Sequence, residues 1–300
     1  MKRSLLLSVV VLAGSMGLAG CLTSTRIVQQ AQPPDAYKTA TVEQVEQQVQ
    51  DRDAKLQTLK ATVLITATTG GERTGLEKTY PSLNGYIFVR RPRDLRVLLQ
   101  APVFRSRALD MVSDQNGFTM MHAGLPGHPD VWMQGSNVVT KPSANGLENL
   151  RPPVFFDSLM VPGVTADEVV TMHESTRLIQ PTDKHKPVTE EPDYDLTVMK
   201  KTGKNGVLQT ERVIHISRTN MLPYQQDIYD DKGIAVATTA TYDKYQNFGV
   251  EDFPTLINIS RPMDQYALKI EVTKLTLNQK LEDDQFQLPI PAGVTVQKMQ

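Results

Sequence analysis

Most of the chain alternates apolar and polar residues with a period of two, and this alternation is the strongest constraint on its fold. In the segment QYALKIEVTKLTL, for instance, Tyr266, Leu268 and Ile270 alternate with Lys269 and Glu271. Because successive side chains of a strand point to opposite faces, such a segment forms a strand with one apolar and one hydrated face. Turn-forming sequences such as TTGG, DQNG and DDKG separate about eleven strands of this kind, and tight turns favour antiparallel pairing. The sequence therefore predicts a mainly β protein of the α+β class, built on an antiparallel sheet.

Two segments replace this alternation with the period of a helix. Residues 41–59 begin with the capping-box pattern Thr-x-x-Gln and continue with valine and leucine at spacings of three, four and seven. Residues 152–160, PPVFFDSLM, are a short apolar run that a Pro-Gly pair follows. We predict an amphipathic helix in the first segment and a short apolar helix in the second. Residues 135–153 and 180–193 have no clear period and are predicted to contain long loops.

The N-terminus has the layout of a bacterial secretory signal. Lys2 and Arg3 precede the apolar stretch LLLSVVVLA, which small residues follow. Directly after them stands Cys21, the one cysteine among 300 residues, in the tetrapeptide Leu-Ala-Gly-Cys. This tetrapeptide resembles the bacterial lipobox, in which the cysteine carries acyl chains such as palmitate and becomes the first residue after cleavage. We therefore expect covalent acyl chains on Cys21; an ordinary signal peptide with a chance cysteine is the alternative.

The resemblance to a lipobox implies three parts and a location. These parts are a signal peptide at residues 1–20, a lipidated cysteine with a polar, proline-containing tether at residues 21–40, and a folded domain at residues 41–300. Several acyl chains together hold a protein on a membrane almost permanently. The residue after the cysteine is Leu22 and not the aspartate associated with retention at the inner membrane. We expect the protein in the cell envelope of a diderm bacterium, on the outer membrane and facing the periplasm.

Charge and motif content argue against several functional classes. The chain has 32 basic and 33 acidic residues, so it has no strong field of one sign, and nucleic acid is not an expected partner. No Gly-x-Ser-x-Gly, phosphate loop or dinucleotide motif follows the signal, and we expect no enzyme and no catalytic residue. Paired carboxylates, which sequence spacing does not reveal, stay open as an alternative. His122, His128 and Asp130 are too few for a convincing metal site, so no metal is expected, and no cofactor beyond the acyl chains on Cys21.

Three segments, taken in order, resemble the outer-membrane lipoprotein carrier and receptor family, LolA and LolB. GYIFVRRPRDLRVLLQAPVFRSRALDMVSDQNGFTMM is similar to the family's succession of strand, Arg-Pro, strand, Ser-Asp turn and strand. RTNMLPYQQDIYDDKGIAVATTATYDKYQNF is similar to its strand, Leu-Pro, strand, Asp-x-x-Gly turn and strand, and DDQFQLPIPAGVTV to its closing segment. The resemblance runs from residue 42 to residue 297 and, together with Cys21, points to a lipidated member.

The resemblance implies a fold and a function. The fold would be a single curved antiparallel sheet forming an incomplete barrel, with helices as a lid over an apolar cavity that holds acyl chains. The protein would be a membrane-anchored periplasmic lipoprotein that binds the acyl chains of lipoproteins or other lipids during sorting or transport to the outer membrane. Its partners would be the membrane, the acylated ligand and a periplasmic carrier protein, and we expect a monomer. The alternative is a structural or sensory envelope lipoprotein that uses the same fold as a protein-docking surface.

The same resemblance assigns residues to the lid and the cavity. Arg91, directly before Pro92, matches the family's arginine that hydrogen-bonds the helical lid and keeps it closed. A guanidinium suits this role because it can donate to several carbonyls at a helix end. The alternative is that Arg90, Arg91, Arg93 and Arg96 form a solvated edge of the sheet. The predicted cavity residues, which would otherwise form a closed core, are Val63, Ile65, Phe88, Val97, Met111, Trp132, Phe155, Phe156, Leu159 and Met160.

Overall fold

The computed structural model describes residues 30–34, 36–71, 73–102, 106–124, 127–138, 150–181, 186–203 and 206–299. These residues form two α-helices, α1 (Val42–Lys55) and α2 (Pro152–Leu159), and a short 3₁₀ helix (Asp283–Phe286). The first seven strands are β1 (Thr58–Gly71), β2 (Leu76–Thr79), β3 (Leu83–Arg90), β4 (Asp94–Gln100), β5 (Arg107–Ser113), β6 (Phe118–His122) and β7 (Val131–Gly135). The other eight are β8 (Glu168–Ile179), β9 (Thr189–Thr202), β10 (Val207–Ser217), β11 (Pro223–Tyr229), β12 (Val236–Asn247), β13 (Asp252–Arg261), β14 (Tyr266–Leu277) and β15 (Val296–Met299). The predicted mainly β fold is confirmed.

One large, curved and open sheet contains all fifteen strands of the described residues. Its order is β15-β7-β6-β5-β4-β3-β1-β14-β13-β12-β11-β10-β9-β8, and β2 pairs with β1 beside this path. The pairs from β3 to β7 and from β9 to β14 are antiparallel, whereas β15 joins β7 in parallel. The sheet has more strands than the predicted number because β2, β8 and β15 show no regular alternation of buried and exposed residues.

Strand β1 connects the two halves of the sheet. It pairs with β3 on one side and with β14, near the end of the chain, on the other. Leu59 stands opposite Leu277 and Ile65 opposite Ile270, so the apolar residues of both strands share one face. We call this the inner face, since α2 packs against it, and the opposite side the outer face. Residues far apart in sequence therefore line a single apolar surface.

Helix α1 begins with the predicted capping box. The Thr41 hydroxyl accepts a hydrogen bond from the Gln44 N–H at 3.4 Å, and the Gln44 side chain accepts one from the Thr41 N–H at 2.9 Å. These bonds satisfy two of the backbone donors that a helix leaves free at its start. The apolar stripe of α1, Val45 and Val49, is buried in a cluster with side chains of β9 and β10 that includes Tyr194. The helix thus lies on the inner face of this part of the sheet.

Some predicted boundaries were wrong, and each error has a local cause. Helix α1 ends before Leu59, because that leucine belongs to β1 and pairs across the sheet. Strand β9 begins at Thr189, inside the predicted loop of residues 180–193, because the sequence Glu-Glu-Pro at 190–192 hides the alternation of apolar and polar residues. Most of the predicted loop at residues 135–153 lies outside the described residues, and α2 begins at its end.

The chain divides into two compact units. One comprises residues 35–177 and 191–300 and contains most of the sheet and both helices. The other comprises residues 1–34 and 178–190; in its described part the Gln32 N–H donates to the Val188 carbonyl at 2.8 Å. The predicted signal peptide and Cys21 lie outside the described residues. None of the helices in the described ranges is long and apolar enough to span a membrane.

A half-buried ion cluster ties neighbouring strands together on the outer face. His215 of β10 lies between two carboxylates, Asp195 of β9 at 2.6 Å and Asp227 of β11 at 3.1 Å. Thr239 of β12 donates to Asp227 at 2.7 Å, so the cluster reaches four strands. Burial disfavours the charged imidazole, but the hydrogen bonds to both aspartates outweigh this effect and raise the pKa of His215 to about 9. The imidazolium therefore stabilises the folded sheet at neutral pH.

We predict a stability that depends on pH through His215. Because its folded pKa is raised, the contribution is fully present below its unfolded pKa of 6.5 and is lost as the pH rises through about 9. His215→Gln should cost roughly 2–3 kcal/mol of unfolding free energy below pH 6.5 and much less above pH 9. Urea unfolding of both proteins over this range measures the difference. A difference that does not change with pH would contradict the ion cluster.

Candidate functional site

One buried apolar cluster fills the space between the inner face of the sheet and helix α2. We call it the interior cluster, and it includes residues of β1, β3 to β7, β12 to β14 and α2. Eight of the ten predicted cavity residues belong to it: Val63, Ile65, Val97, Met111, Phe155, Phe156, Leu159 and Met160. Each of these eight exposes 5% or less of its surface. The sequence thus identified residues that do come together on the inner face.

The other two predicted cavity residues, Phe88 and Trp132, were assigned to the wrong face. On β3 the inward positions are Ile87 and Val89, so Phe88 between them points outward and stacks on Tyr86 with ring centroids 6.3 Å apart. A period of two allows no other arrangement. The sequence signal for this arrangement is the alternation of Ile87 and Val89, which places Phe88 on the opposite face of the strand.

Trp132 also lies on the outer face, although it is buried. Its neighbour on β7, Met133, belongs to the interior cluster, so Trp132 must point the other way. It packs in a separate cluster with Val112 and Met121, and this cluster is covered by Leu288 from the segment after the 3₁₀ helix. The burial of Trp132 therefore results from a cover that closes the outer face and not from the interior.

The interior is closely filled in this structure. A cavity beside α2, lined by residues of α1, α2, β12 and β13, has a volume of about 30 Å³. This is the space of about one water molecule, whereas ligand pockets have about 300–1,000 Å³. An acyl chain can enter this region only if a helix moves.

Helix α2 is held by apolar packing more than by polar contacts. Its one ion pair joins Asp157 to Arg93 at 2.7 Å, and that arginine also lies 5.1 Å from the Phe156 ring centre. Burial raises the pKa of Asp157, with Arg93 acting against it. Within the described part of the chain, the buried hydroxyls of Ser158 and Tyr242 have no hydrogen-bond partner, which is unusual for buried polar groups. The seat of α2 is therefore apolar and incompletely hydrogen-bonded.

Helix α1 holds the segment that leaves α2. The Gln50 side chain of α1 accepts a hydrogen bond from the Val164 N–H at 2.9 Å. A Cβ atom at Gly163 would lie 2.7 Å from the same Gln50 oxygen, so a larger residue there would displace the Gln50 side chain from this hydrogen bond. Any movement of α2 that displaces its exit segment must therefore also disturb α1.

Arg91 lies against the C-terminal end of α1. Its Nε donates to the Leu56 carbonyl at 2.8 Å, its guanidinium pairs with Asp53, and its backbone N–H donates to the Gln57 carbonyl at 3.0 Å. Burial, assisted by the neighbouring Arg93, lowers the pKa of Arg91 from its usual high value. The geometry is that of a cation satisfying the free carbonyls of a helix end. The role of Arg91 as a lid latch stays a prediction.

A second arginine was missed by the sequence analysis. Arg52, in the last turn of α1, pairs with Glu251 at 2.8 Å and donates to the Asp252 carbonyl at 2.9 Å. It attaches the last turn of the helix to the start of β13. The sequence shows only a basic residue in the last helical turn, where the helix dipole stabilises a positive charge. It does not indicate the distant partner of that residue.

Cys21 lies outside the described residues. Among the residues that the structure describes, no group of three or more histidine, cysteine, aspartate or glutamate side chains is placed to hold a metal ion.

We predict that Phe155 and Phe88 contribute very differently to stability. Phe155→Ala removes a ring that is 2% exposed and should cost about 3–5 kcal/mol, because it leaves a cavity in a packed core. Phe88→Ala removes an equal ring from the outer face and should cost about 1 kcal/mol. Urea unfolding of the two variants tests this contrast. Equal losses would show that α2 does not occupy the interior as described.

The chain is similar to solved structures at low sequence identity. A DUF1329 family protein from Desulfovibrio piger has 14% identity and a TM-score of 0.49, over 83% of this chain and 98% of that one. A LolA superfamily protein from Nitrosomonas europaea has 14% identity and a TM-score of 0.45, over 81% and 97%. A domain from Vibrio parahaemolyticus, assigned to outer membrane lipoprotein sorting, has 13% identity and a TM-score of 0.48, over 82% and 97%. No protein-family model and no curated protein matches the sequence. The solved structures similar to this chain thus include the LolA superfamily, which the sequence resembles.

Proposed function

We propose that this protein is a membrane-anchored envelope lipoprotein that binds the acyl chains of lipoproteins or other lipids under helix α2, without covalent chemistry. The observation that supports this most is α2 itself. It places Phe155, Phe156 and Leu159 against the inner face of the sheet, and side-chain packing provides most of its attachment. A helix held mainly by apolar packing can be displaced from the inner face by another apolar group, such as an acyl chain.

The free energy gained by burying the side chains of α2 is comparable to the free energy gained by burying an acyl chain in their place. Burying each of the four large apolar side chains Phe155, Phe156, Leu159 and Met160 contributes about 1.5–3 kcal/mol, so together they contribute roughly 6–12 kcal/mol. An acyl chain of about sixteen carbons would contribute about 12 kcal/mol at 0.8 kcal/mol per methylene. Exchange of α2 for an acyl chain is therefore close to balanced. Such a balance suits a protein that must both load and release its ligand.

The contacts of Arg91 would decide when α2 can move. Arg91 fixes the end of α1, and α1 holds the Gly163–Val164 segment that follows α2. Hydrogen bonds to charged groups contribute about 1.5–3 kcal/mol each, which corresponds to roughly tenfold to a hundredfold in a rate or an equilibrium. In this proposal Arg91 holds the closed form without making the closed form irreversible.

We predict that the chain without residues 1–21, stripped of lipid, binds a fluorescent acylated peptide saturably and melts at a higher temperature with it. Arg91→Leu should accelerate loading and release by about tenfold or more, because the end of α1 is then untied. Stopped-flow fluorescence measures both rates. Arg90→Leu is the matched control, because Arg90 forms its ion pairs with Asp94 and Asp283 and none with α1. Absence of saturable binding to any acyl ligand would refute the function, whereas unchanged rates in Arg91→Leu would refute only the latch.

The second candidate is a structural or sensory envelope lipoprotein that docks other proteins. The observation in its favour is the filled interior, with a cavity of only about 30 Å³ beside α2. A protein of this kind would need the closed form alone. It would show no response to acyl ligands, so the same measurement separates the two functions.

The anchor belongs to the proposed function as well. The motif Leu-Ala-Gly-Cys after an apolar signal supports lipidation at Cys21, and Leu22 supports a location at the outer membrane. Attachment through several acyl chains would keep the binding domain at the membrane surface where lipoproteins are delivered.

We predict that Cys21→Ala abolishes labelling by a fatty-acid analogue in growing cells and leaves the precursor uncleaved or cleaved elsewhere. A thioether-linked lipid requires the cysteine sulfur, and alanine offers no atom to attach it. Cys21→Ser tests the same requirement with a smaller change in polarity. Equal labelling of the parent and the variants would contradict the lipobox.

A further inference from the structure

A polar cavity of about 430 Å³ lies beside the interior cluster. It is bounded by strands β10 and β11, by the turn after β11, and by residues 162–168 after α2. We call it the β10–β11 cavity. Its volume falls within the range of small-molecule sites. The helix movement proposed for acyl binding is not needed to open it.

At the floor of the β10–β11 cavity lies an amide without a partner. Gln226 of β11 is fully buried, and it stands opposite Ile214 on β10 and Ala240 on β12. These apolar neighbours offer it no hydrogen bond. Among the described residues, neither its side-chain nitrogen nor its side-chain oxygen has a partner. Since buried polar groups are normally paired, this amide is available to a group that enters the cavity.

The charges around the cavity select against anions. Acidic residues outnumber basic residues by five to three along its wall. Arg212 is already occupied, because it pairs with Glu168 and donates to the Gly163 carbonyl, both at 2.7 Å. Arg93 is likewise paired with Asp157. A phosphate or a carboxylate would therefore meet excess negative charge and no unpaired guanidinium.

The chemistry of the amide selects among the remaining groups. An ammonium ion only donates, so it would satisfy the oxygen of Gln226 and leave the nitrogen unpaired. A hydroxyl both donates and accepts, so it can satisfy either atom. The carboxylates of Glu211 and Asp231 line the same cavity and can accept hydrogen bonds from further hydroxyls, and Tyr229 adds an apolar ring with a hydroxyl.

We propose that the β10–β11 cavity binds a polyhydroxyl group of the sugar type, with Gln226 as its central contact. The group could come from a free saccharide or from the sugar headgroup of a glycolipid, and both sources share the same chemistry. This site goes beyond the proposed acyl-chain binding and does not depend on it.

The test uses two probes and three variants of the chain that lacks residues 1–21. Trehalose represents the free saccharide, and monomeric dodecyl maltoside represents a sugar attached to an alkyl chain. Gln226→Met removes both polar atoms at nearly constant volume. Gln225→Met is the matched control, because Gln225 is the preceding residue on β11 and donates to Asp227 on the outer face. Asp231→Leu, in the exposed turn, removes a carboxylate acceptor at the rim of the cavity without touching the core.

We expect calorimetry to show saturable binding of at least one probe, weakened by about tenfold or more in Gln226→Met and unchanged in Gln225→Met. Binding of trehalose assigns a free saccharide, and binding of dodecyl maltoside alone assigns a headgroup. Asp231→Leu must also weaken binding of the probe. If Gln226→Met does not fold, the result with Asp231→Leu alone tests whether the probe binds in the β10–β11 cavity. No binding of either probe, or binding that Gln226→Met and Asp231→Leu leave unchanged, overturns the proposal and leaves the amide to ordered water.

Discussion

The pairing of β1 with β14 is the constraint on which the rest of the structure depends. It joins strands separated by about two hundred residues and places them at the centre of the sheet order. Without it the strands from β3 to β7 and those from β9 to β14 would be two separate sheets, each with an exposed edge. With it, the apolar faces of both halves form one continuous inner surface. The apolar side chains of α2 pack in one cluster with residues from both halves.

Helix α2 and helix α1 use that surface in different ways. The first brings its aromatic side chains into the interior cluster and has few polar attachments, whereas the second lies on β9 and β10 and is tied at its end by Arg52 and Arg91. The segment that follows α2 passes close to α1 at Gly163. In the proposed function, exchange of the apolar helix α2 would be controlled through α1, which charged contacts fix.

Two polar sites on the sheet differ in whether their side chains are hydrogen-bonded. On the outer face, His215 and its two aspartates satisfy one another and stabilise the strands. On the inner face, Gln226 of the neighbouring strand has no such partners. Both side chains belong to the same part of the sheet, and they differ in whether the neighbouring strands supply complementary groups. This difference separates a structural ion cluster from a candidate binding group.

The sequence alone determined the class of the fold, the capping box of α1, the apolar helix α2 and eight of the side chains in the interior cluster. These features follow from local periodicity, which the chain carries without reference to distant partners. The prediction was wrong for Phe88 and Trp132 because their neighbours on the strand, Ile87 and Val89 for the first and Met133 for the second, occupy the inward positions. In YQQDIY the period of two already required one glutamine to face inward. Whether Gln226 would find a partner there, whether Arg91 would meet the end of α1, and how completely α2 would fill the interior were decided only by the tertiary structure. Each depends on residues from separate strands or helices, and the spacing of residues along one segment contains no information about what another segment will place beside it.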